Sequence, residues 1–146
     1  MKIKFRNMKL TLLILSSALI IVSATLPDRV SQNETQQSAL RGKKVYEEYC
    51  LSCHQTDGSG VPGLNPPLKK TTYVLGPQDK LVKILLNGLE EEIEINGEYY
   101  SNPMPAFGSV LNDQQIADVL TYVRSNFGNK ANAVPVSKVK AIRAAK

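Results

Sequence analysis

The chain has no tryptophan and only three phenylalanines. Its side chains alone therefore supply a thin core for a small domain. A single histidine and two cysteines leave a tetrahedral zinc centre one ligand short, unless a carboxylate such as Asp57 supplies the fourth. Methionine occurs only at positions 1, 8 and 104. No basic patch is interleaved with aromatics, which argues against nucleic-acid binding. No internal repeat is visible. The one long apolar run, Leu10–Ala24, is broken by Thr11, Ser16 and Ser17 and is marginal for spanning a bilayer.

Acids are missing from both ends. Residues 1–9 carry Lys2, Lys4, Arg6 and Lys9 alone, ahead of the apolar run, and Val22-Ser23-Ala24 offers small residues for cleavage. This is the pattern of a secretory leader over 1–24. An uncleaved membrane anchor is the alternative, since Thr25 and Leu26 extend the run. No cysteine lies near the cut site, so a lipid-modified cysteine is not an option. The formal charge of +5 is misleading: without the leader, fourteen Lys and Arg face thirteen Asp and Glu. Five of those cations lie from Lys130 onward, so residues 25–129 hold nine cations against thirteen acids. A mildly acidic domain with a basic tail is expected.

What the chain does have is concentrated. Both cysteines and the histidine fall within Cys50-Leu51-Ser52-Cys53-His54. Thiols three residues apart project from one face of a helical turn. They can add to two vinyl groups on one edge of a porphyrin, with the next histidine beneath the iron. A redox disulfide uses the same Cys-x-x-Cys, but in a β-α-β context that this helical, loop-rich stretch lacks. A zinc site and a buried inert histidine are the remaining readings. A haem-bearing chain also fits export, because thioether attachment takes place outside the cytoplasm in bacteria.

The second donor to such an iron has few sources. Met104 is the only methionine after the leader, and it sits in Asn102-Pro103-Met104-Pro105-Ala106-Phe107-Gly108. Prolines on both sides exclude helix and stiffen the segment. A soft thioether suits haem iron. Core filling is the ordinary role of a lone methionine, and a lysine or an open position is the fallback for the iron.

Residues 25–36 read as a linker, with Ser31–Gln37 polar and without apolar period. A first helix is expected over 38–49, with Leu40, Val45, Tyr46 and Tyr49 apolar and Gly42 costing about 1 kcal/mol against alanine. Turn chemistry at Asp57–Gly60 and Pro62–Pro67 predicts a long loop. Pro77 at a first helical position opens a helix with Leu81, Ile84 and Leu85 on its stripe and Gly88 at its end. Ile93–Gly97 resembles one arm and the turn of a hairpin. Asn112 and Gln115 form a capping box for a helix carrying Ile116, Val119, Leu120, Val123 and Phe127, ended by Gly128. A tail helix from Ser137 competes with a solvated or disordered end in the basic tail, 130–146.

Taken together, residues 41–129 resemble class I cytochrome c, the mono-haem family. Gly42 and Tyr46 match first-helix positions that cross a last helix at Val119 and Tyr122. Cys50, Cys53 and His54 match the haem site. Pro66-Pro67-Leu68 matches the proline segment whose backbone carbonyl, here assigned to Pro66, receives the His54 ring N–H. Met104 matches the axial methionine, and Asn112–Ile116 matches the start of the last helix. The acidic stretch Glu90, Glu91, Glu92, Glu94 and Glu98 and the basic tail depart from the family.

The resemblance implies an all-α fold of three to five helices over 37–129, around one covalently bound haem c. Cys50, Cys53, His54, Pro66, Leu68 and Met104 would hold the cofactor, with His54 and Met104 on the iron. Such a protein is a one-electron carrier rather than an enzyme. It docks transiently with redox partner proteins as a monomer, in the periplasm or on the outer face of the cytoplasmic membrane. Membrane contact follows only from an uncleaved leader, which would favour a haem-bearing subunit of an oxidoreductase complex. A peroxidase or gas-binding haem protein is the alternative if Met104 leaves the iron free. The acidic stretch is either a solvated surface or a steering patch for a basic partner. Tyr99 or Tyr100 either reaches a haem propionate or packs over the haem edge.

Overall fold

A computed structural model describes the backbone of residues 26–145 and the side-chain environments of residues 31–145. The leader or anchor over 1–24 lies outside the described residues. Among those described, no helix is long and apolar enough to cross a membrane. The chain divides at Glu34 into two units, and the second, Thr35–Lys146, is the folded body. Its elements are α1 (Leu26–Tyr49, which begins in the first unit), α2 (Leu51–His54), α3 (Thr72–Leu75), α4 (Gln78–Asn87), β1 (Ile93–Ile95), β2 (Glu98–Tyr100), α5 (Asp113–Ser125) and α6 (Val136–Ala144). Four helices exceed a single turn, in keeping with a small helical haem-protein fold.

The stretch 25–36, read as a linker, is helical from Leu26. Apolar period reports a face that packs, not helicity itself. Gln32, Glu34, Gln36 and Gln37 are good helix formers, and no glycine or proline interrupts residues 28–41. Leu40, assigned to the apolar face of α1, is 54% exposed. The buried face is Val45 and Tyr46, which meets α5.

Gly42 makes that crossing close. A Cβ at this position would lie 1.9 Å from the Asp118 carbonyl oxygen and 2.9 Å from Tyr122 Cβ. Below the crossing, the Tyr46 ring packs 5.4 Å from Tyr122 and 5.3 Å from Phe127. Above it, the buried Asp118 carboxylate accepts from Ser38 Oγ at 2.6 Å, Arg41 Nε at 2.7 Å and Gln114 Nε2 at 2.9 Å. A buried carboxylate is tolerable only with such partners.

The capping box at Asn112 and Gln115 is formed on both sides. α5 buries Ile116, Val119, Leu120 and Val123, but it stops at Ser125. Phe127, expected inside this helix, lies beyond it with φ +56°. The last carbonyls are taken by side chains instead: Ser125 Oγ donates to Thr121 O and Asn126 Nδ2 to Tyr122 O. Released from the helix, the Phe127 ring turns onto Tyr46 and Tyr122. Pro77 stands one residue earlier than expected, in the cap position before Gln78.

The 93–100 hairpin forms, turning at Asn96 and Gly97 with φ +56° and +84°. Both values are left-handed, as a type I′ turn requires. Ile93, Ile95 and Tyr100 point inward with Tyr73 and Leu89, while Glu94 and Glu98 are exposed. The basic tail is not an appendage. α6 buries Val139 completely, Lys138 pairs with Asp79 at 2.6 Å, and Arg143 pairs with Asp113 at 2.6 Å. The body thus runs past Asn129, the boundary expected from sequence, to the end of α6.

Candidate haem site

Cys50 closes α1 and opens the single turn α2: its N–H still bonds Tyr46 O at 2.9 Å, and its own carbonyl accepts from His54 N at 2.9 Å. Both thiols and the imidazole therefore sit on adjoining turns. The turn is stopped at Gln55, φ +66°, whose carbonyl accepts the Tyr46 hydroxyl at 2.6 Å. His54 is buried, and its Nδ1–H donates to the Pro66 carbonyl at 2.9 Å. A carbonyl can only accept, so Nδ1 carries the proton and Nε2 keeps its lone pair. Burial depresses the imidazole pKa, partly opposed by the Pro66 bond. The ring is accordingly a neutral donor at ordinary pH. The Pro66 carbonyl is held by the Val61–Asn65 bridge just before it.

Neither cysteine is in a disulfide. Burial and then the neighbouring Cys53 push the Cys50 thiol up to about 12. A thiol kept protonated is a poor disulfide-exchange nucleophile, which weakens the redox-disulfide reading. The zinc reading fares no better. Asp57 is engaged by Lys69 at 2.6 Å and by the Ser59 N–H at 3.0 Å, contacts that hold its carboxyl well below the usual range. Among the described residues, no three His, Cys, Asp or Glu side chains converge to hold a metal ion.

Met104 is placed by backbone hydrogen bonds. Its N–H donates to Leu89 O at 2.8 Å and its carbonyl accepts from Leu89 N at 2.9 Å. Phe107 N and Gly108 N then donate to Leu85 O and Leu86 O, at 2.9 and 3.2 Å. The methionine segment thus satisfies carbonyls that the end of α4 leaves without a helical partner. Gly88, φ +79°, allows the approach, for a Cβ there would lie 2.6 Å from Met104 O.

These segments frame an apolar cleft between the loop after α2, α4, the hairpin and α5. Cys50, His54, Pro66, Leu68 and Met104 all line it, and Cys53 joins them in the adjoining outer part. Leu81, Leu85, Leu120 and Val123 supply apolar walls. A thiol, an imidazole and a thioether along this cleft, with a second thiol along the pocket beside it, are the donor set a c-type haem needs.

Some contributors were not anticipated. Ile93 and Ile95 turn the hairpin into a wall of the cleft; their alternation with Glu94 was the available signal. Buried Asn129 accepts from Lys70 N at 2.7 Å and donates to Leu68 O and Val123 O at 2.9 and 2.7 Å, which places Leu68. No sequence signal marks it. Tyr100 packs in the hairpin cluster and donates its hydroxyl to Glu98 at 2.8 Å, while Tyr99 is exposed.

The helices, the cleft and the donors along it are those of a small helical haem protein. The sequence profile of the family described as Cytochrome c matches residues 39–127, and the chain belongs to that family. It therefore carries a covalent c-type haem with iron. It is 36% identical over 92 residues to cytochrome c-552 of Thermus thermophilus, covering 60% of this chain and 69% of that protein. It is 37% identical over 120 residues to the fructose dehydrogenase cytochrome subunit of Gluconobacter japonicus, covering 77% of this chain and 24% of the relative. The gluconate 2-dehydrogenase cytochrome c subunit of Pantoea cypripedii is 38% identical over 99 residues, covering 66% of this chain and 22% of the relative. The chain thus spans about a quarter of the length of these dehydrogenase subunits.

Proposed function

We propose that this chain is an exported one-electron carrier, itself without catalysis, whose haem is attached through Cys50 and Cys53 and ligated by His54 and Met104. The observation that carries this reading is the single cleft lined by Cys50, His54 and Met104 together. When bound, the haem supplies one-electron chemistry through its ferric and ferrous states. His54 offers Nε2 while Pro66 holds Nδ1–H, which fixes the tautomer and raises the basicity of the donor atom. Met104, on its bridged and proline-bracketed segment, offers a thioether that favours the ferrous state. The apolar walls exclude water and press in the same direction, since the oxidised state carries the extra charge. With His54 and Met104 both held, the haem would keep no open position for substrate. Electrons would pass at the edge near Cys50 and Cys53.

The test is spectroscopic. The ferric protein should show the weak long-wavelength sulfur-to-iron absorption band, and Met104→Ala should abolish it and let the reduced form bind carbon monoxide rapidly. Absence of the band from the unmodified protein, with rapid carbon monoxide binding, would favour the peroxidase or gas-binding reading instead.

Two observations favour a second reading, a haem-bearing arm of a dehydrogenase complex: the names of the relatives above and the apolar run Leu10–Ala24. N-terminal sequencing of the mature protein separates them, because a leader cut near Ala24 gives a free carrier and an intact one gives an anchored chain.

The hairpin bears on partners in either case. Its inner residues line the cleft while Glu90, Glu91, Glu92 and Glu94 are exposed, without a cation partner among the described residues. Such a rim would steer a basic partner toward the haem edge in small, brief encounters. Glu91→Lys with Glu92→Lys should slow electron exchange with a basic partner by roughly tenfold at low salt and flatten its salt dependence. An unchanged salt slope in stopped-flow measurements would leave the stretch a solvated surface.

A further inference from the structure

We propose that Arg143, on the tail helix α6, is a positioning residue for Met104, acting as a latch on the segment that presents the thioether. This rests on Met104 being an iron ligand, as argued above.

The segment from Met104 to Leu111 has no helix or strand of its own. One side lies along α4, through the bonds from Phe107 N and Gly108 N to Leu85 and Leu86. The other side meets one guanidinium. Arg143 Nη1 donates to Gly108 O, Nη2 donates to Leu111 O at 2.9 Å, and Nε donates to Asp113 Oδ1 at 2.6 Å. The planar fork therefore ties the root of the methionine segment to the first turn of α5, a geometry that an ammonium does not reproduce. The latch is itself anchored, because α6 buries Val139 completely. Residue 143 lies outside the stretch 39–127 that the family profile covers, so membership of the family does not supply this contact.

An external ligand can reach the iron only when the methionine segment is displaced. Its apparent affinity therefore scales with the fraction of molecules in which the segment is open. Two charge-assisted bonds to Gly108 and Leu111 oppose that opening. Arg143 would thus set how firmly the sixth ligand is held, from a helix that does not line the cleft.

The experiment uses the full holoprotein in the ferric form, titrated with imidazole and followed by the long-wavelength sulfur-to-iron band. Arg143→Ala should bind imidazole roughly tenfold more tightly, from the loss of one to two charged hydrogen bonds. Arg143→Lys, which keeps the charge opposite Asp113, should fall between and remains usable if the alanine variant does not fold. Lys138→Ala removes an exposed ion pair of the same helix, a contact of little energetic weight that does not touch the methionine segment, and should leave imidazole affinity unchanged. Unchanged affinity in both Arg143 variants would overturn the latch, as would an increase matched by Lys138→Ala. A missing band in the unmodified protein would instead overturn the ligation on which the latch rests.

Discussion

Cys50→Ala combined with Cys53→Ala is expected to yield a chain with roughly half or less of the native helical circular dichroism, since a domain this small has only a marginal reserve of stability. The argument starts from the scarcity of large side chains: no tryptophan and three phenylalanines. Leu68, Leu81, Leu85, Leu120 and Val123, from the 62–71 loop, α4 and α5, belong to one core cluster and also line the cleft. An apolar body in the cleft completes their packing, because a void there leaves its lining without contact atoms on one side. The thioether bonds hold that body in the chain, so the variant loses the centre of its core and not merely a redox group. Full native helicity without covalent haem, measured on protein from cells able to mature cytochromes, would refute this account.

Gly42→Ala should lower the stability of the holoprotein by about 3 kcal/mol or more, a large effect for one methyl group. The added Cβ would lie 1.9 Å from the Asp118 carbonyl oxygen, which belongs to backbone and cannot turn aside. α1 and α5 must therefore separate. Separation loosens the Tyr46–Tyr122 contact and strains the bonds from Ser38 and Arg41 to the buried Asp118 carboxylate. The helix-propensity gain of alanine over glycine, about 1 kcal/mol, works the other way and is outweighed. Thermal unfolding followed at 222 nm should show a midpoint lower by on the order of 10 °C or more. A midpoint within a degree or two of the parent would mean that the helices do not cross at this glycine.

Features carried by neighbours in the chain were the legible ones. Cys50, Cys53 and His54 lie within one helical turn, and the prolines bracket Met104 directly, so the donor set needed no long-range information. The capping box at Asn112 and the Asn96-Gly97 turn likewise join residues no more than three apart. Errors arose where distant groups decide. Phe127 leaves α5 for Tyr46 and Tyr122. Residues 26–36 are helical without an apolar period to announce it. Whether the basic tail forms a helix was left open by its sequence, and its packing through Val139 decides it.

The sequence by itself determined the chemistry: which atoms can bind a porphyrin and its iron, and the short turns and caps that orient each of them. Tertiary structure alone decided how those atoms are held. Asp118 meets Arg41 across 77 residues, Asn129 meets Leu68 across 61, and Arg143 meets Gly108 across 35. Local patterns record the preferences of adjoining residues, whereas the partner of a buried polar group is settled only when the chain has folded back on itself and desolvation leaves that group one place to bond.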